Sequence, residues 1–171
     1  MKLLILSDSH GSLYYPRMVI QKLKDRIDVI IHLGDHEKDA IKLMKEFPSL
    51  LLHYVGGNCD FGSIHKEKII PIANKKILMT HGHRQDVKWG YDRIGYYGEE
   101  KEVDIVLFGH THMPLIENYG EMLLFNPGSI SQPRGIIYPT FGIIEIEEEG
   151  KVEPAIMAIK KDNELSRLWM V

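Results

Sequence analysis

At 171 residues the chain has the length of one domain, 1–171, able to bury a core without disulfides or a structural metal. Apolar residues make up 44% and charged residues 26%, which excludes a disordered or fibrous chain. A formal charge of -3 provides no general cationic field for long nucleic acid, so any nucleotide chemistry must be local to a site.

The opening apolar run Leu3-Leu4-Ile5-Leu6 is too short for a secretory segment, because Asp8 follows almost at once. No later run is long enough to span a bilayer, so no membrane partner is expected. The lone Cys59 rules out an intramolecular disulfide and fits a reducing compartment, with the cytoplasm as the expected location.

In chain order, Lys2 to Leu6 reads as a buried strand, Pro16 to Arg26 as a helix with proline near its start, and Val29 to Leu33 as a second strand. Glu37 to Phe47 carries apolar residues at helical spacing, Pro48 stops it, and Leu50 to Val55 supplies a third strand, which implies a parallel sheet. Lys68 to Ile72 and Lys76 to Met79 flank the turn-like Ala73-Asn74-Lys75 and predict an antiparallel hairpin. Asp86 to Glu102 reads as a weak or broken helix because of Gly90, Gly95 and Gly98. Val103 to Phe108 is a further strand, and short antiparallel pieces are expected from Met113 onward. Glu145 to Glu149 reads as a strand edge entering the Gly150 turn, and Lys160 to Val171 as a solvated end or short helix, with Trp169 a candidate docking residue for another chain.

The chemistry sits where the strands stop. Asp8-Ser9-His10, Gly34-Asp35, Gly57-Asn58, His81 and Gly109-His110-Thr111-His112 each follow an apolar run, so five strand ends carry seven candidate metal ligands. Ligands of open α/β sheets collect beyond the carboxyl ends of the strands, where residues distant in sequence meet. Asp8 with His10, and His110 with His112, lie two apart, so extended backbone would send both side chains of a pair to one side. Imidazoles, carboxylates and one amide suit Mn, Ni, Zn, Fe or Co better than Mg or Ca. Seven ligands exceed the needs of one ion, and Asp35 is the natural bridge between two ions about 3.5–4 Å apart. Two divalent ions, two aspartates and one hydroxide leave a core charge of about +1, suited to an anionic phosphate ester.

In these residues the sequence resembles the calcineurin-like metallophosphoesterases, whose pattern is D-x-H, GD, GN, a single His and GHxH in that order. Asn126-Pro127-Gly128-Ser129 extends the resemblance toward the small prokaryotic YfcE-like phosphodiesterase branch. It implies a four-layer αββα sandwich of two mixed sheets. One metal would be held by Asp8, His10, Asp35 and His112, the other by Asp35, Asn58, His81 and His110, with manganese the first expectation. A metal-bridging hydroxide would then attack phosphorus in line.

One departure narrows the substrate. Where the larger family follows its GN asparagine with a proton-donating histidine, this chain has Cys59-Asp60. The YfcE-like branch commonly carries Cys there, which points to small phosphodiesters. Asp35 and Asn58 are therefore read as catalytic as well as metal-binding, with His83 and Cys59 as the candidate proton donors. A monoesterase or protein phosphatase is the rival enzyme reading. A protein-binding scaffold is the non-enzyme one, since a retromer subunit shares the implied fold.

The remaining candidates have plainer readings. His32, His53 and His65 match no motif and read as satisfied polar groups, while His36 must lie near the site because it follows Asp35. Cys59 is not read as a nucleophile, because a small buried cysteine is ordinary. Arg134 is a candidate phosphate clamp or a solvated surface arginine. Trp89, Tyr91, Tyr96 and Tyr97 read as packing residues, with nucleoside stacking or a homo-oligomer contact as the alternative.

Overall fold

The computed structural model describes residues 1–168; Trp169 lies outside the described residues. In chain order the elements are β1 (Lys2–Leu6), α1 (Tyr14–Leu23), β2 (Val29–His32), α2 (Glu37–Glu46), β3 (Leu51–Tyr54), β4 (Glu67–Ile72), β5 (Lys75–Thr80), α3 (Asp92–Glu100), β6 (Ile105–Leu107), β7 (Pro114–Tyr119), β8 (Met122–Pro127), β9 (Thr140–Ile146), β10 (Val152–Ile159) and β11 (Leu165–Leu168). They form two mixed sheets, ordered β11-β10-β9-β1-β2-β3 and β4-β5-β6-β8-β7. β1, β2 and β3 run parallel, as do β5, β6 and β8; the other pairings are antiparallel.

Strand alternation creates the four layers. Leu3 and Ile5 of β1 face inward and meet Ile77, Met79, Ile105 and Phe125 of the second sheet. Leu4 and Leu6 point the other way, onto Val19 and Ile20 of α1 and Ala40 and Leu43 of α2. In the second sheet Leu78, Val106 and Leu124 face Ile94 of α3. A strand buried on both faces has no polar position to spare, hence the unbroken apolar runs.

Three boundaries differ from expectation. α1 starts at Tyr14, with Pro16 in the first turn, where its missing N–H costs no hydrogen bond, and Lys24 caps its end on the Ile20 carbonyl. The segment read as a helix over 86–102 is helical only over Asp92–Glu100, after a short turn at His83–Gln85. Gly95 and Gly98 do not break it: an added Cβ would run into the Tyr119 ring or Met122, so these glycines let α3 lie close to the sheet. The tail is not a solvated end through residue 168. A turn at Lys161–Asn163 leads into β11, which hydrogen-bonds along β10 with Leu165 and Leu168 partly buried.

Candidate metal centre

The carboxyl ends of β1, β2, β3, β5 and β6 share one edge of the molecule. Asp8 N–H donates to Gly34 O at 3.1 Å, and Gly109 N–H to His81 O at 3.2 Å. Ligand atoms of Asp8, His10, Asp35 and His112 lie within 4.8 Å of one another, and so do those of Asp35, His81 and His110. Asp35 belongs to both groups. Asn58 joins the second, its Oδ1 3.2 Å from His81 Nε2. The structure thus brings all seven sequence-predicted ligands together.

The backbone route differs from the expected one. Asp8, His10, Asp35, His110 and His112 all have positive φ, from 47° to 68°, so the paired ligands converge through left-handed turns and not through extended chain. Non-glycine residues held there cost about 1–3 kcal/mol each and collect at functional sites. Two glycines serve by close approach: a Cβ on Gly57 would overlap Asp35 Oδ1, and one on Gly109 would overlap Ser7 Oγ.

Hydrogen bonds fix how the rings present themselves. His81 Nδ1 lies 2.7 Å from Leu33 O and His112 Nδ1 2.6 Å from Gln132 O. A carbonyl only accepts, so each Nδ1 donates and each Nε2 is turned into the cluster. There His112 Nε2 faces His10 Nε2 at 3.1 Å and Asp8 Oδ1 at 3.2 Å. Asp8 Oδ1 is buried without a hydrogen-bond partner among the described residues. Such a convergence of acceptors suits a cation.

The electrostatics agree. Burial alone would raise the Asp8 and Asp35 carboxyls, but His112 and His81 outweigh it and hold Asp8 low, and His81 with Cys59 holds Asp35 low. Burial would lower His81, yet Asp35 and Asp8 raise it: the carboxylates draw positive charge to this spot. Burial lowers His10, and burial with the neighbouring His81 pulls His110 down to about 4.

Cys59 is exposed rather than buried. Its thiol donates to Asp35 Oδ2 at 3.3 Å, and partial desolvation of the sulfur at that contact together with the Asp35 charge pushes it up to about 11, the opposite of an activated nucleophile. The His83 ring lies 5.4 Å from that of His81 and 5.9 Å from that of His110, half-buried at the edge of the cluster. His36 sits 5.8 Å from the His10 ring, outside both ligand groups. His32 is fully buried and bonded to Ser9, while His53 and His65 lie in and after β3, apart from both groups. Arg134 is exposed, and its backbone N–H donates to His112 O at 3.0 Å. Of the aromatic group, Tyr91 and Tyr97 pack on the α3 core, but Trp89 is 91% exposed and Tyr96, edge-on to Tyr119 at 5.8 Å, is 65% exposed, so neither is a core residue.

Several further residues support the ligand loops. Asp60 accepts backbone N–H groups from His36, Glu37 and Gly57, tying the Asn58 loop to the start of α2. Asp39 accepts from Ser9 Oγ and Gly11 N–H. Ser129 and Ser131 both donate to Asp8 O, and Asn126 donates to Gly109 O, so the Asn126–Ser129 turn braces two ligand loops. Asp60 follows Cys59 in the Asn58 motif, and Asn126 and Ser129 belong to the Asn126–Ser129 signature; Asp39 and Ser131 carry no local signal.

Two mixed sheets with a histidine–carboxylate cluster at their common edge are the framework of a phosphoesterase, and the chain belongs to the calcineurin-like phosphoesterase superfamily, whose domain model matches residues 1–149. It is 34% identical over 151 residues to the probable metallophosphoesterase YsnB of Bacillus subtilis, covering 87% of this chain and 86% of that one. It is 32% identical over 168 residues to the phosphodiesterase MJ0936 of Methanocaldococcus jannaschii, covering 87% and 95%. The crystal structure of a predicted phosphoesterase from Streptococcus pneumoniae superposes with a TM-score of 0.80 at 28% identity, covering 98% and 96%. Among the described residues no helix is long and apolar enough to cross a membrane.

Proposed function

We propose that this phosphoesterase is a dinuclear metal-dependent phosphodiesterase acting on small diesters as one domain in the cytoplasm. The observation that carries the reading is Asp35, the carboxylate shared by two ligand groups. Asp8, His10, Asp35 and His112 would hold one divalent ion and Asp35, Asn58, His81 and His110 the other, with Mn, Ni, Zn, Fe or Co suited to the imidazoles. Bound there, the ions would neutralise phosphate charge and lower the pKa of a water. Leu33 O and Gln132 O keep the His81 and His112 rings turned inward. Backbone N–H groups of Cys59 and His110 hold the Asp35 and Asp8 carboxylates.

Diester preference draws support from Cys59, which stands where the larger family carries its proton-donating histidine. In this reading His83, its ring 5.4 Å from that of His81, would protonate the leaving oxygen. The relative named as a phosphodiesterase favours the same substrate class.

The test compares a bis-aryl with a mono-aryl phosphate ester, adding Mn, Ni or Zn in turn. Diester preference is expected, with Asp35→Ala inactive. Monoester preference would make the chain a phosphatase, and no turnover with any metal would leave a binding scaffold. Unimpaired diester hydrolysis by Asp35→Ala would overturn the mechanism.

A further inference from the structure

A pocket of about 750 Å³ opens beside the metal cluster, lined among others by Asn58, Phe61, Ile64, Lys66, His83 and Arg84. It exceeds what a bare phosphate requires and falls within the range of ligand pockets. Asn58, beside His81, and His83 tie it to the cluster, and its other side chains belong to neither ligand group.

The pocket wall is an anchored loop. Gly56 N–H donates to His65 O at 2.6 Å and closes its base, Asp60 fastens its middle to α2, and Ser63 Oγ donates to Glu37 Oε2 at 2.6 Å. This fixed backbone nevertheless holds Phe61 99% and Ile64 84% exposed. Large apolar side chains on a tethered loop beside a reactive centre are a contact surface waiting for a ligand. Lys66 and Arg84 bring two cations to the same space in a chain of net charge -3.

We propose, resting on the diesterase reading, that this pocket is a leaving-group subsite for nucleotide-type diesters. A base stacks on Phe61 against Ile64, and Lys66 with Arg84 holds a second phosphate on the same alcohol. Water adds to phosphorus, the P–O bond to that alcohol breaks, and its oxygen takes a proton; the products are a phosphomonoester and a free nucleotide.

Binding of thymidine 3′,5′-bisphosphate and of thymidine to the full chain, measured calorimetrically with chelator present, tests the subsite apart from turnover. The bisphosphate should bind about tenfold tighter than thymidine, Phe61→Ala should weaken both by about tenfold, and Lys66→Gln with Arg84→Gln should remove the preference. Equal binding of the two ligands, or no effect of Phe61→Ala, overturns the assignment. The manganese-loaded protein should likewise cleave a 5′-phosphorylated thymidine dinucleotide about tenfold faster than the unphosphorylated one, a ratio the double variant brings near one. If the binding pattern holds and no diester is cleaved, the diesterase reading falls while the nucleotide site stands. If bis-aryl phosphate is cleaved without nucleotide preference, the subsite falls alone.

Discussion

His10 and His112 face each other through their Nε2 atoms at 3.1 Å, while His112 Nδ1 donates to Gln132 O. That bond turns His112 Nε2 into the cluster, where Asp8 Oδ1 stands 3.2 Å from the same atom. Nitrogen and oxygen ligand atoms gathered this closely, with Asp8 Oδ1 lacking a hydrogen-bond partner among the described residues, suit a shared cation. Metal at about a hundred times its dissociation constant should therefore raise Tm by about 5–10 °C, and chelator should reverse the shift. His112→Ala should respond far less. A scanning-calorimetry Tm indifferent to Mn, Zn and chelator would falsify the metal reading.

Gly57 lies so close to Asp35 that even a methyl group must move the shared carboxylate. Gly57→Ala should lower kcat/KM for a diester by about 100-fold, the scale of a 1 Å misplacement, with the circular dichroism of the fold retained. Wild-type kinetics in this variant would show that the position of Asp35 is not critical.

Asp60 satisfies three backbone donors at once, including Glu37 N–H at 2.8 Å and Gly57 N–H at 2.8 Å. Asp60→Ala leaves them unpaired and should cost about 1–3 kcal/mol in urea unfolding, besides weakening metal affinity. Asp60→Asn, which keeps one acceptor oxygen, should lose less. Equal stability of all three proteins would remove Asp60 from the loop's anchoring.

His32 supplies a pH prediction. Its Nδ1 accepts from Gly34 N–H, its Nε2 donates to Ser9 Oγ at 3.1 Å, and full burial pulls its pKa from 6.5 to about 4. Below pH 6.5 the unfolded chain binds a proton that the folded chain refuses, so this contribution is intact above 6.5 and fades as pH falls toward 4. Between pH 6.5 and about 5 the loss is about 2 kcal/mol. Urea midpoints at both pH values should fall more for the wild type than for His32→Gln, since other histidines titrate in both proteins. Equal drops would contradict it.

The central strands β1, β2, β3, β5 and β6, the first two helices and all seven cluster residues were legible because each leaves a local mark: a doubly buried strand is an unbroken apolar run, and a ligand follows its end. α2 shows where that stops. Its spacing pointed to Ile41, Leu43, Met44 and Phe47, yet its buried residues are Asp39, Ala40 and Leu43, because Asp39 turns inward to bond Ser9 and Gly11. β11 was missed because a short, half-polar strand exists only when a neighbouring edge, here β10, receives its hydrogen bonds.

By itself the sequence determined which residue types stand at the strand ends, and with Asp8, Asp35 and the GHxH pair it determined the family. Only the tertiary structure decided that the pairs converge through left-handed turns and that Phe61 and Ile64 stand exposed over a pocket. Residue type is a property of one position. Convergence depends on backbone turns and on contacts such as Ser129 with Asp8, 121 positions apart, which no local pattern encodes.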